Sequence, residues 1–244
     1  MTHIGNALTF TLNLILVSAV ALHQILSTVA FPDTDCPPKD PGKPVMGRYQ
    51  VNSTNTSVCL LANMGVQLNI SFSSTSNKTV QDVINIDPNT TRSSGSCDVD
   101  RAILTLLDVK KTNLTFVFTL NNTSNKYQVS EIALSAAWPD MKESFSAVNN
   151  SLDYLGGSLG YSYMCSEEQT LSVVPALSIN IFQVQVQPFN LTHNRFATAE
   201  ECQLDKEDML IAIVVGAALA GLVVIVLVAY LIGRRKSHSG YQTI

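Results

Sequence analysis

Hydrophobic and polar positions alternate through the middle of this chain and give way to an unbroken apolar run near its end. Val66-Gln67-Leu68-Asn69-Ile70-Ser71-Phe72 alternates without a fault, as a strand must with one face in a core and the other in water. Leu114, Phe116, Phe118 and Leu120 share one face of a second strand, with Asn113, Thr115, Val117 and Thr119 opposite. Tyr127–Leu134 and Tyr161–Cys165 are shorter strand candidates, and Asp98–Leu107 suits a short helix or a buried strand equally well. Between Ala176 and Phe189 the alternation changes phase. Leu177, Ile179 and Ile181 are odd, whereas Phe182, Val184 and Val186 are even. A one-residue slip would turn half the strand inside out, so a β-bulge or sharp bend is predicted at Ile181-Phe182. The expected fold is an all-β domain, mostly antiparallel, followed by one C-terminal transmembrane α-helix.

The apolar run extends from Leu210 to Ile232, twenty-three residues without a charge. As a helix it is about 34 Å long, enough to cross a bilayer core of about 30 Å with some tilt. Arg234, Arg235 and Lys236 follow directly, and the positive-inside rule puts them and the tail in the cytoplasm. The bulk of the chain is then luminal or extracellular. Residues 31–209 hold 12 Lys and Arg against 19 Asp and Glu, a net of −7. This acidic balance argues against nucleic-acid binding. A second apolar stretch, Ile4 to about Val29, has its best core at Leu14–Leu22 and small residues at Ala19 and Ala21, or Thr28 and Ala30. It reads as a secretory signal peptide, the alternative being a second span. Residues 31–47 hold five of the nine prolines and read as an extended linker that no core absorbs. The expected organisation is a signal peptide (1–30), a Pro-rich linker (31–47), a luminal β domain (48–208), a transmembrane helix (209–232) and a cytoplasmic tail (233–244). This is the plan of a type I membrane protein.

Sidedness gives the cysteines and asparagines meaning. Cys36, Cys59, Cys97, Cys165 and Cys202 would face an oxidising compartment, where disulfides are the default. Four of them allow three pairings, and spacing does not select one. The steps of 38 and 37 residues, 59 to 97 and 165 to 202, make sequential pairing the simplest. Cys36 is left over, either a free thiol or a link between chains. Metal binding is disfavoured by the absence of CxxC and by a single histidine, His193, in residues 31–209. Asn-X-Ser/Thr sequons stand at Asn52, Asn55, Asn69, Asn77, Asn89, Asn113, Asn121, Asn122, Asn149 and Asn190. That is ten of the sixteen asparagines in residues 31–209, where chance would give about three, so heavy N-glycosylation is expected. No HExxH, GxSxG or phosphate loop occurs; Gly157-Ser158-Leu159-Gly160 reads as a turn, and no enzyme activity or cofactor is expected.

The C-terminal Gly240-Tyr241-Gln242-Thr243-Ile244 has the form of a sorting signal, an extended peptide whose Tyr241 and Ile244 side chains fill pockets while its backbone adds to a sheet edge. In the span, the small-xxx-small pairs Ala212/Gly216, Gly216/Ala220 and Ala217/Gly221 suit close helix approach.

Several stretches together resemble one family. Glu201-Cys202-Gln203-Leu204-Asp205, with the run from Met209 to Ile244, resembles the membrane-proximal end of the lysosome-associated membrane glycoproteins, and Ser237–Ile244 is closest to the tail of the type 1 member. Arg48-Tyr49, Cys59-Leu60-Leu61-Ala62 and Val66–Ile70 resemble the family's domain opening. The resemblance implies a β-prism-like domain with disulfides Cys59–Cys97 and Cys165–Cys202. It further implies a tail read by clathrin-adaptor medium subunits, residence in lysosomes and late endosomes with a cell-surface fraction, and homo- or hetero-oligomers with related glycoproteins. The chain departs from the two major members in having one such domain rather than two, and in carrying Cys36. Two functional expectations follow. One is a glycan coat that protects the limiting membrane; the alternative is a macrosialin-like endocytic receptor or adhesion protein.

Overall fold

The computed structural model describes residues 41–53 and 57–238. The expected signal peptide, most of the linker with Cys36, Asn55 and the tail signal Gly240–Ile244 lie outside the described residues. Among the described residues, thirteen strands form two antiparallel sheets, with one parallel pair. The first sheet contains β1 (Gly47–Asn52), β2 (Val58–Ser73), β3 (Thr79–Asn85), β10 (Ser162–Cys165), β11 (Gln169–Val174), β12 (Leu177–Gln187) and β13 (Ala199–Glu201). The second contains β4 (Thr91–Cys97), β5 (Arg101–Asp108), β6 (Thr112–Asn121), β7 (Lys126–Ala136), β8 (Phe145–Asn149) and β9 (Tyr154–Ser158). A helix, α1 (Gln203–His238), completes the described chain.

Long strands that change partner midway fold each sheet on itself. β2 pairs with β12 along one edge, while its other edge takes β1 in its first half and β3 in its second. β12 likewise takes β11 and then β10 on its outer edge. The switch coincides with a register break between Phe182 and Gln185, where Gln183 adopts φ 47°. This is the bulge that the phase change predicts, centred a residue or two later. Ile181 and Val184 both enter the core although they differ in parity, while Phe182 is buried outside that cluster beside Gly65, and only an irregular backbone lets one strand do this. The second sheet repeats the device: β7 pairs with β9 over Lys126–Val129 and with β8 over Ile132–Ala136, its register with β6 shifting between Val117 and Phe118. The folded walls enclose one prism-like core containing Leu68, Ile70, Leu104, Leu114, Phe116 and Ile179, each at most 1% exposed.

Two sequence expectations resolve or change. The ambiguous Asp98–Leu107 stretch is a strand, β5, with Ala102, Leu104 and Leu106 alternately buried. The end of the Pro-rich stretch does reach the core's surface, against expectation. Pro44 is buried over Gly65 of β2, where a side chain would meet the Pro44 carbonyl. The Gly42 carbonyl accepts from Gln67 Nε2 at 3.1 Å and from Asn85 Nδ2 at 3.0 Å. Gln67 is a buried strand amide whose Nε2 also donates to Asn85 Oδ1 and whose Oε1 accepts from Asn180 Nδ2, and the Gly42 carbonyl takes up its remaining donor.

Candidate glycan-bearing surface and membrane anchor

The sheets meet along seams closed by side chains. Cys59 of β2 is bonded to Cys97 of β4, with Cα atoms 6.2 Å apart, so this disulfide joins one sheet to the other. Beside it the Ser93 hydroxyl accepts from the Gln50 N–H at 3.2 Å and donates to the Gln50 carbonyl at 3.0 Å. On another seam the Tyr154 hydroxyl accepts from the Ser172 N–H at 3.2 Å, and Asn149 Nδ2 donates to the Val173 carbonyl at 2.8 Å. On a third, Tyr127 of β7 reaches across to β10. Its hydroxyl accepts from the Tyr163 N–H at 2.9 Å and has the Tyr161 and Val186 carbonyls at 3.0 and 3.2 Å as acceptors. Burial pushes the Tyr127 hydroxyl well above the usual tyrosine range, and nearby Glu200 pushes the same way, against the lowering effect of the Tyr163 N–H. The group is a neutral strut. Tyr49 is pushed up to about 12, first by burial and then by Asp87 and Asp108, yet its hydroxyl is buried without a hydrogen-bond partner.

The sequons lie on the outside of this frame. Asn52, Asn77, Asn89, Asn113, Asn121, Asn122 and Asn190 are exposed, and Asn69 and Asn149 are half-buried; no described sequon asparagine is buried. Asn69 and Asn113 sit on the polar parity of β2 and β6, as the alternation requires. Asn77, Asn89, Asn122 and Asn190 occupy turns and loops and Asn121 ends β6 at one, where the Asx geometry and left-handed backbone of short polar residues are at home.

The anchor begins without a free linker. β13 runs parallel to β10, and Cys202 directly after it is bonded to Cys165 at a Cα separation of 5.1 Å. α1 starts at the next residue, and the Cys202 sulfur accepts from the Asp205 N–H at 3.5 Å as a weak cap. The Asp205 carboxylate accepts the Ser166 N–H at 2.8 Å and the Glu167 N–H at 3.2 Å. Domain and helix are therefore joined by paired strands, a disulfide and a carboxylate–amide clamp. Cys165, Cys202 and Asp205 are the described residues that come within metal-ligand distance of one another, but both sulfurs are in the disulfide. A disulfide is a poor metal ligand, because the thiolate is the ligating form. From Met209 to Ile232 every residue of the helix is exposed. So long an apolar surface with no protein against it is the surface of a membrane span.

A cleft of about 780 Å³ lies between Ile84 and Ile86, the β5–β6 turn at Val109–Lys111, and Trp138. Trp138 Nε1 donates to the Thr112 hydroxyl at 2.9 Å, and the ring packs edge-on to Phe72. The two adjacent acids Glu200 and Glu201 diverge, Glu200 half-buried and accepting from the Ser158 N–H at 2.9 Å and Glu201 exposed. His193 is exposed. Sequence reasoning missed the Asp205 clamp and the Tyr127 strut. Tyr127 had a legible signal, since it shares the buried parity of Val129, where a hydroxyl must find a partner. Asp205 had none, because its partners lie about forty residues away in the chain.

Comparison with known proteins agrees with this geometry. Residues 34–203 match the family described as lysosome-associated membrane glycoprotein 2-like luminal domains, and residues 211–242 match the lysosome-associated membrane glycoprotein 2 transmembrane segment. Human lysosome-associated membrane glycoprotein 1 is 46% identical over 202 residues, covering 82% of this chain and 48% of that protein. Human lysosome-associated membrane glycoprotein 2 is 45% identical over 218 residues, covering 89% and 51%. The chain thus spans about half the length of the curated relatives it matches. The crystal structure of the membrane-proximal domain of mouse LAMP-1 superposes with a TM-score of 0.62 at 37% identity, covering 66% of this chain and 99% of that one. Human LAMP-3 gives 0.57 at 26% identity, covering 65% and 99%.

Proposed function

This chain belongs to the lysosome-associated membrane glycoprotein family, and we propose on that premise that it is a structural coat protein of the lysosomal and late endosomal membrane. The observation that carries the reading is the placement of the sequons. All nine described ones reach the surface of a disulfide-closed β domain tied directly to a membrane helix. N-glycans at those positions would surround the domain and shield it, and the bilayer beneath, from hydrolases. The seams are suited to an acidic lumen, because they are held mainly by neutral amides, hydroxyls and a disulfide rather than by ion pairs. Removing the N-glycans should shorten the protein's lifetime in lysosomes; an unaltered half-life would contradict the shielding role. The organisation proposed is a signal peptide, a linker, a luminal domain, one span and a cytoplasmic tail, without enzyme activity.

The tail carries the address in this proposal. Tyr241 and Ile244 would be read by clathrin-adaptor medium subunits, with Gly240 leaving the backbone free to extend. Tyr241→Ala should move the protein from lysosomes to the cell surface, measured as the surface-biotinylated fraction. An unchanged distribution would sink the sorting claim. The second reading, an endocytic receptor or adhesion protein, is favoured by the Trp138 cleft. A large steady-state surface fraction of the unaltered protein would support it over the coat. Association with copies of itself or with related glycoproteins is proposed through the small-residue pairs of the span.

A further inference from the structure

We propose that the Cys59–Cys97 disulfide is a thiol-exchange site, opened by a small thiol in the folded protein while Cys165–Cys202 stays closed. The two bonds sit in opposite surroundings. Cys59 is the second residue of β2 and Cys97 the last of β4, both half-buried at strand ends. They form part of the wall of a cleft of about 470 Å³, with Val99, Leu120, Leu159 and Phe189 among its other walls, so a small thiol has room to reach the sulfurs. Cys165 and Cys202 are 0% and 6% exposed. The Asp205 carboxylate stands 3.8 Å from the Cys165 sulfur, where its charge repels an approaching thiolate. Asp98, the acid beside the first bond, is exposed and its field is screened by water. Exchange needs a thiolate that can reach a sulfur, so access and charge both favour Cys59–Cys97.

In the first step the thiolate sulfur bonds to Cys97 Sγ and the bond to Cys59 breaks. Its electron pair leaves on the Cys59 sulfur, which takes a proton from solvent. That sulfur lies 3.4 Å from the Val51 carbonyl oxygen, so the new S–H has an acceptor in place. A second thiolate then attacks the outer sulfur of the mixed disulfide, and Cys97 leaves as a thiolate that is protonated in turn. Two external thiols are oxidised to one disulfide, and the cystine is reduced to two cysteines. The bond that opens joins one sheet to the other. Edge strand β4 keeps its ladder to β5 and the two Ser93 bonds with Gln50. Reduction therefore loosens a single seam without opening the core.

The test uses the full-length protein in detergent at pH 7, with free thiols first blocked by iodoacetamide. Free cysteine is added without denaturant, the reaction is quenched at intervals with N-ethylmaleimide, and peptide mass spectrometry reads each position. Cys59 and Cys97 should be labelled about tenfold sooner than Cys165 and Cys202, because only the first bond is met without opening the fold. Early samples should carry the added cysteine on Cys97; finding it on Cys59 overturns the order of attack. Equal rates, earlier labelling of Cys165 and Cys202, or no labelling of Cys59 and Cys97 overturns the proposal. Circular dichroism of the singly reduced protein should keep the β signal of the oxidised one. Loss of that signal would show that exchange unfolds the domain, and would overturn the confinement of the change to one seam.

Discussion

Tyr127→Phe and Tyr49→Phe remove the same atom from two equally buried side chains, at 1% and 2% exposure, and should have different consequences. At Tyr127 the lost hydroxyl accepts from the Tyr163 N–H and has two carbonyl acceptors in reach, so the variant leaves a donor and an acceptor unsatisfied in the seam. Each such group costs about 1–3 kcal/mol, and the pair about 2–6 kcal/mol. The ring still fills its site beside Phe189 and against Gly157, so no cavity term is added. For a domain of this size that lowers the unfolding temperature by about 4–24 °C. At Tyr49 the hydroxyl has no partner, so its removal relieves a desolvation cost, and stability should stay level or rise. Calorimetry of the full chain in detergent at pH 7 measures both. Equal losses at the two sites would refute the reasoning, since burial alone would then govern and the hydrogen-bond inventory would be irrelevant. The alkaline limb adds a second reading. The folded Tyr49 hydroxyl titrates near 12, above its ordinary 10, so the stability it contributes is full below pH 10 and is lost as pH rises from 10 towards 12. Tyr49→Phe should escape that loss, so its advantage over the unaltered protein should widen across this window.

Two further substitutions probe the frame. Gly95 of β4 adopts φ 154°, and a Cβ there would collide with the Ile103 carbonyl of β5. Gly95→Ala should destabilise by about 3 kcal/mol, read as a lowered urea midpoint; a midpoint shift under a quarter of that would contradict the collision. Asp205→Ala should release α1 from the Ser166–Glu167 amides without unfolding the domain. Limited proteolysis should then cut near residues 203–208 sooner, while the unfolding temperature moves little; unchanged cleavage would mean that the disulfide alone holds the junction.

Much of the fold was legible because water marks one face of most strands. The parity of Val66–Phe72 and of Leu114–Leu120 follows from solvent on one side, and the phase change in β12 could be read as a bulge for the same reason. β4, by contrast, reads Thr-Arg-Ser-Ser-Gly-Ser-Cys and shows no apolar alternation. It is an edge strand with most side chains in solvent, held by its ladder to β5 and by Ser93, so no hydrophobic pattern was needed or present. The end of the Pro-rich stretch was misread because its composition is that of a linker. Pro44 and the Gly42 carbonyl are nevertheless held in place by groups on β2 and β3.

By itself the sequence determined the apolar span, the sequon positions and the all-β class. Each depends on local composition or on a period of two, and a chain carries these without folding. The tertiary structure alone decided which strands change partners, which carbonyl Asn149 meets across a seam, and which buried tyrosine gains partners. It also decided how Asp205 ties the helix to the domain. These contacts join residues from about twenty to forty positions apart, and no local pattern encodes a partner at that distance.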